Sequence, residues 1–122
     1  LVELLDALEV EGIDISRIGL HFHNTRNTGL ANIMVAMQRG VSRFDAAIGG
    51  LGGCPYSPGA TGNVATEDVV HMVEDLGVTT GIDLEHLIEC GQLAEQLVGR
   101  QLPAQVLRSG PRTRTVVTEE LL

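Results

Sequence analysis

Hydrophobic spacing along this chain switches between the two periods that regular backbone structure imposes. Over residues 2–10 (VELLDALEV) apolar side chains recur at helical spacing and predict the end of a helix. From Arg17 to His23 (RIGLHFH), Ile18, Leu20 and Phe22 alternate with Gly19, His21 and His23, a period of two that predicts a strand. Thr28–Arg39 (TGLANIMVAMQR) returns to the helical period, with Leu30, Ile33, Met34 and Met37 on one side and Gly40 placed as its stop. Arg43–Ile48 (RFDAAI) predicts a second short strand. The loop Gly49–Asn63 follows and holds six of the fifteen glycines. Thr66 is expected to cap the next helix, with Glu67 and Asp68 in its first turn, where the helix dipole favours acids. That helix is predicted to run to Leu76 and stop at Gly77. A last helix is predicted from about Asp83 to Val98, packing through Leu84, Leu87, Ile88, Gly91 and Ala94. Beyond Pro103 the periodicity fades.

Strands alternating with helices imply an α/β fold with a parallel, helix-covered sheet. Two strands cannot close or cover such a sheet. Six more would complete a (β/α)8 barrel, a fold of about 250 residues, and this chain has 122. It opens at Leu1 rather than Met, inside a helix already under way, and is therefore expected to be a piece of something longer. Residues 1–100 are expected to belong to the barrel domain and 101–122 to form a polar C-terminal tail. With its strand edges unpaired, the isolated piece is expected to be unstable or to aggregate.

Composition narrows the chemistry. Hydrophobic residues make up 43% and charged residues 20%, as in ordinary globular domains. Aromatics are 2%, so the core must come from Leu, Val, Ile, Ala and Met. A net charge of −8 argues against a nucleic-acid partner, because phosphate backbones are held by clustered cations. Arg108, Arg112 and Arg114 around Pro111 are a local exception, read as solvated tail rather than phosphate site. Every basic residue is Arg, so this stretch offers no lysine amine for a Schiff base. An enolate would have to be stabilised by a metal ion or by fixed hydrogen-bond donors. Cys54 and Cys90 make neither a disulfide framework nor a CxxC zinc site. No apolar run approaches the ~20 residues of a membrane span, and no signal-peptide pattern appears, so a soluble, reducing compartment is the expectation.

Two segments carry chemistry. At the end of the first predicted strand lies H-F-H-N-T, His21–Thr25, whose alternation puts His21 and His23 on one face. Two imidazoles there can share a divalent ion, and can equally be two hydrogen-bonded histidines. In the second segment, Gly49–Asn63, dense glycine permits close approach to a ligand or mobility. The loop lacks the lysine and the spacing of a phosphate-binding P-loop. Cys54, between Gly53 and Pro55, is either a proton donor or acceptor brought in by loop closure or an incidental exposed thiol. Asn63 is either an oxygen ligand or a turn residue before the next helix. His71 and His86 are read as solvated, and Cys90 as buried and inert.

Taken together, H-F-H-N-T, G-L-G-G-C-P-Y, G-A-T-G-N and A-T-E-D-V-V-H-M resemble the 3-hydroxy-3-methylglutaryl-CoA lyase family, from about Gly19 to Leu97. The resemblance implies the C-terminal portion of a TIM barrel, carrying its last two βα units and a C-terminal helix. It implies that His21, His23 and Asn63 ligate Mg²⁺ or Mn²⁺, and that Cys54 shuttles a proton, with His21 also in proton transfer. Gly52 and Gly53 are then expected against the acyl-CoA substrate, with Asn24 and Glu67 supporting the ligands from behind. The implied reaction is retro-Claisen cleavage to acetyl-CoA and acetoacetate, the step that links leucine degradation to ketone bodies. The implied compartment is a bacterial cytoplasm or a mitochondrial matrix, and a homo-oligomer is possible. Two departures matter. Asn24 stands where the family has Asp, and Asn24 also resembles the H-x-H-N-D of Claisen-type synthases such as isopropylmalate synthase, which lack the GGCPY loop. The family's metal-binding Asp and its neighbouring Arg fall outside this chain, so alone it is expected to be inactive. The alternatives are a Claisen-type synthase or a non-catalytic fragment.

Overall fold

A computed structural model describes residues 1–57 and 59–113. The arginine cluster therefore reaches the described residues only through Arg108 and Arg112, and Arg114 lies outside them.

Helix α1 (Val2–Val10) turns Leu5 fully inward. Leu5, Ile15, Ala36 and Val41 form one apolar cluster, with Leu20 and Phe44 packed against it. Strands β1 (Gly19–His21) and β2 (Arg43–Asp45) pair in parallel, in the register Gly19–Arg43, Leu20–Phe44 and His21–Asp45. Paired residues of parallel strands point to the same face. Leu20 and Phe44 thus meet the helices, while His21 and Asp45 share the exposed face.

Both strands are shorter than the predicted Arg17–His23 and Arg43–Ile48. Their continuations pair with the chain that returns from the glycine loop. Val64 N–H donates to Phe22 O at 3.2 Å, and His23 bridges Asn63. Ala47 N–H donates to Val64 O at 3.1 Å and Ala47 O accepts from Thr66 N–H at 2.9 Å. The period of two persists, but the ladder changes partner.

Helix α2 spans Gly29–Gln38 and buries Gly29, Ile33 and Ala36. Met34, expected on that face, is exposed. Arg39 follows the helix and binds Asp6 and Glu9 of α1, at 2.8 Å for Glu9. Helix α3 (Thr66–Asp75) is preceded by Ala65 at its cap position, and Thr66 is its first residue. The expected Thr66 cap is therefore corrected: Thr66 N–H is already held by Ala47 O, inside the returning ladder. Helix α4 (Leu84–Val98) begins as expected at Asp83, whose side chain accepts from His86 N–H at 3.1 Å, and ends on Gly99 at φ +67°. His86 is exposed beside Asp83, as expected. Cys90 is exposed, not buried. It lies two residues, about 200° of helical rotation, from the inward Ile88.

The expected polar tail is also corrected over its described part. Leu102, Ala104, Val106 and Leu107 are buried with Ile88 and Ala65 in the second apolar cluster. A short helix α5, Val106–Ser109, is started by Asp68 of α3, which accepts from Gln105 N–H at 3.1 Å and Val106 N–H at 2.8 Å. Arg108 binds the carbonyls of Leu102 and Ala104 at 2.8 and 2.9 Å, and Arg112 pairs with Asp75 at 3.0 Å. His71 is half-buried and accepts from Arg112 N–H at 3.2 Å, rather than standing in solvent. Replacing Asp68 with alanine orphans both α5 donors and is expected to cost about 1–2 kcal/mol in the complete protein, read as a lower urea midpoint. An unchanged midpoint would mean that α5 contributes nothing to the fold.

Candidate active site

The exposed ends of β1 and β2 and the glycine loop meet at one place. His21 ends β1, and its Nδ1 is hydrogen-bonded to Oδ1 of Asp45, which ends β2. His23 sits beside it, the two rings edge to face with centroids 5.1 Å apart and planes at 70°. The shared face predicted for the histidines is therefore present. Asp45 was not singled out from the sequence. Its signal was a polar residue closing the second strand, which points to His21 only once the register is known.

The loop returns to this strand end. His23 bridges Asn63 through the backbone, and Gly62 O accepts from Asn24 N–H at 2.7 Å. Asn63 Nδ2 spans back to Leu51 O at 2.8 Å, which leaves its amide oxygen without a hydrogen bond among the described residues. A side chain at Gly52 would come within 2.6 Å of that Nδ2, and one at Gly62 within 2.7 Å of the backbone of Gly53. The two limbs of the loop lie close, so glycine at 52 leaves room for the Asn63 amide and glycine at 62 lets the backbones meet. Gly52 and Gly62 therefore serve loop closure, whereas a side chain at Gly53 would meet nothing within 4 Å. Cys54 is half-buried with a free thiol, and its carbonyl accepts from Ser57 N–H at 3.0 Å in a tight turn. A cavity of about 300 Å³ lies along the loop, walled by Gly50, Gly52, Thr61, Arg100 and Pro103. A comparable cleft between α3, α4 and Arg112 holds none of the candidate site residues.

The two residues expected to support the ligands go elsewhere. Asn24 Oδ1 accepts from Gly29 N–H at 3.1 Å, so its side chain serves the start of α2. Glu67 is fully buried, and its two oxygens accept from Gly49 N–H at 2.9 and 2.8 Å. Its hydrogen bonds hold the start of the loop and do not reach His21, His23 or Asn63.

Burial raises the Glu67 pKa, against the opposing pull of the backbone N–H groups. A raised folded pKa means that the native state binds the proton more tightly than the unfolded chain. Its contribution is fully present below the ordinary carboxyl value and is lost as pH rises through the folded one. The complete protein is therefore expected to lose stability relative to Glu67→Gln as pH climbs above 4.5. The steepest slope is about 1.4 kcal/mol per pH unit. Thermal melts of both proteins across pH check this, and parallel curves would refute it.

No three or more His, Cys, Asp or Glu side chains come together as a metal cage among the described residues. Two histidines on one face and an uncommitted amide oxygen are nonetheless a partial donor set suited to a divalent ion.

The HMGL-like family profile matches residues 2–94. The chain belongs to the HMGL-like family. This HMGL-like chain is 52% identical over 101 residues to the (R)-citramalyl-CoA lyase of Chloroflexus aurantiacus, a match covering 83% of the chain and 32% of that protein. It is 47% identical over 93 residues to a hydroxymethylglutaryl-CoA lyase of Bacillus subtilis, covering 76% of the chain and 31% of that protein. Its fold superimposes on an HMG-CoA lyase of Acinetobacter baumannii, solved with coenzyme A and 3-methylmalate, with a TM-score of 0.81 at 45% identity. That match covers 91% of this chain and 36% of the other. The chain thus spans about a third of the length of the curated relatives it matches. Its α/β fold is part of the TIM barrel of these lyases, as expected. The kinship with the hydroxymethylglutaryl-CoA lyases holds, and a citramalyl-CoA lyase stands beside them.

Proposed function

We propose that the complete protein is a divalent-metal-dependent carbon–carbon lyase that cleaves a branched 3-hydroxyacyl-CoA, with 3-hydroxy-3-methylglutaryl-CoA as its first candidate substrate. The observation that carries this reading is the bridge between His23 and Asn63, which brings the GGCPY loop back onto the histidine pair. His21 and His23 offer ring nitrogens and Asn63 its free amide oxygen to Mg²⁺ or Mn²⁺, and the remaining ligands come from outside this chain. When bound, the ion supplies Lewis acidity that makes the tertiary hydroxyl of the substrate easier to deprotonate.

The rest of the work falls to the protein itself. Once a base of the complete site has taken the hydroxyl proton, the hydroxyl carbon becomes a carbonyl. The bond to the thioester's α-carbon breaks and its electron pair passes into an acetyl-CoA enolate. Cys54, on the loop that closes over the strand ends, delivers the proton that turns the enolate into acetyl-CoA. The closed loop keeps bulk water from the enolate until it is protonated.

One observation favours a second substrate, the 52% identity to a citramalyl-CoA lyase. The same bond cleavage on (R)-citramalyl-CoA releases pyruvate in place of acetoacetate. The test assays the complete protein with Mn²⁺ on each thioester, with and without chelator. Acetyl-CoA with acetoacetate, abolished by chelator, supports the first reading, and pyruvate supports the second. A folded, Mn²⁺-loaded protein that cleaves neither, or that condenses acetyl-CoA with a 2-oxo acid and hydrolyses the thioester to release free CoA, overturns both.

A further inference from the structure

The contact between His21 and Asp45 has a consequence for which nitrogen of the ring is available. The two residues occupy the same register position on neighbouring parallel strands, so the sheet itself sets their side chains on one face. Asp45 Oδ1 meets His21 Nδ1. An ionised carboxylate only accepts, so the proton in that contact sits on Nδ1. The ring then carries its free lone pair on Nε2. A neutral imidazole in water prefers the opposite tautomer, with the proton on Nε2, so the partner decides the form. His23 is treated differently. Among the described residues its ring meets no carboxylate and rests edge-on against His21.

We propose that Asp45 is the positioning residue of His21, holding the ring in its Nδ1–H tautomer so that Nε2 is the nitrogen offered to the divalent ion. The inference rests on the metal-dependent reading above for what Nε2 meets, and on geometry alone for the tautomer. Carboxylates that orient a histidine ligand in this way fix its ring and raise its basicity, and their loss typically costs about 10–100-fold in metal affinity. The side chain of Asp45 is mostly exposed in this chain, so its replacement removes little packing.

The experiment uses the complete protein, metal-free, at a pH where its histidines are neutral. Heteronuclear NMR of the ring nitrogens, with His21 assigned through His21→Gln, is expected to show the Nδ1–H tautomer in the wild type. Asp45→Ala is expected to move His21 towards the Nε2–H form and to weaken Mn²⁺ binding about 10–100-fold by calorimetry. Asp45→Asn, whose amide N–H can donate to Nδ1, is expected to move His21 towards the Nε2–H form and to weaken Mn²⁺ binding as Asp45→Ala does. A His21 tautomer that is unchanged in Asp45→Ala overturns the proposal, whatever Mn²⁺ does. A wild type that shows the expected tautomer yet binds no Mn²⁺ overturns the metal reading instead, so the two failures are told apart.

Discussion

Cys54→Ala in the complete protein is expected to lower kcat by about 10²–10⁴-fold, the usual worth of a positioned acid or base. The expectation follows from where the thiol stands. Cys54 is half-buried in the turn closed by Ser57, on the limb of the loop that Gly62 holds against Gly53. It sits next to a segment that returns to the histidines, and among the described residues its thiol makes no hydrogen bond that would give it a structural task. A proton-transfer role predicts loss in kcat with KM and Mn²⁺ affinity nearly unchanged, because the thiol acts after substrate and ion are in place. Melting temperature should stay within a degree or two, since removing one half-buried sulfur opens no sizeable cavity. Cys90→Ala is the internal control, being exposed on α4 and expected to leave kcat within about twofold. Full activity in Cys54→Ala would assign the proton to another donor and leave the loop with closure alone.

How much of this could be read beforehand depended on whether the deciding interaction was local. Helices α2 and α4 were legible because their apolar spacing, and in α4 the cap, lie within a few residues of one another, as with Asp83 and His86. The histidine pair was legible because alternation is a property of four consecutive residues. The strand lengths were not, since Phe22 O accepts from Val64 N–H and Ala47 bonds both Val64 and Thr66, across the loop. The segment from Leu102 on looked polar because only Leu102, Ala104, Val106 and Leu107 carry its burial, three alternating positions followed by Leu107, too short a run to set a period. What orders them is Asp68, 37 residues upstream of Gln105. Asp45 escaped for the same reason, since 24 residues separate it from His21. Glu67 shows the converse error: a local rule placed it correctly in a first helical turn. That rule said nothing of the buried N–H of Gly49 that its side chain holds.

That Gly49 contact leads to the largest stability effect expected here. Gly49 starts the loop at φ +61°, with its N–H on Glu67 and its carbonyl accepting from Ala104 N–H at 3.2 Å. A Cβ added there would drive into the side chain of Leu102, which is fully buried and has no room to retreat. Gly49→Ala therefore combines two costs. Holding an L-residue in the left-handed region costs about 1–2 kcal/mol, and overpacking a filled core adds about 1–3 kcal/mol. The sum, about 2–5 kcal/mol, is a large share of the margin of a typical domain. Gly40→Ala separates the two costs, because Gly40 has φ +94° but nothing within 4 Å of its would-be Cβ. It should show the conformational cost alone. Urea unfolding of the complete protein with both variants measures the difference. If Gly49→Ala proved no worse than Gly40→Ala, Leu102 would not be packed against the start of the loop. The segment after Pro103 would then be free of the site. If Gly49→Ala is the worse by the expected margin, the loop that carries Cys54 is anchored from behind by Leu102 and Glu67.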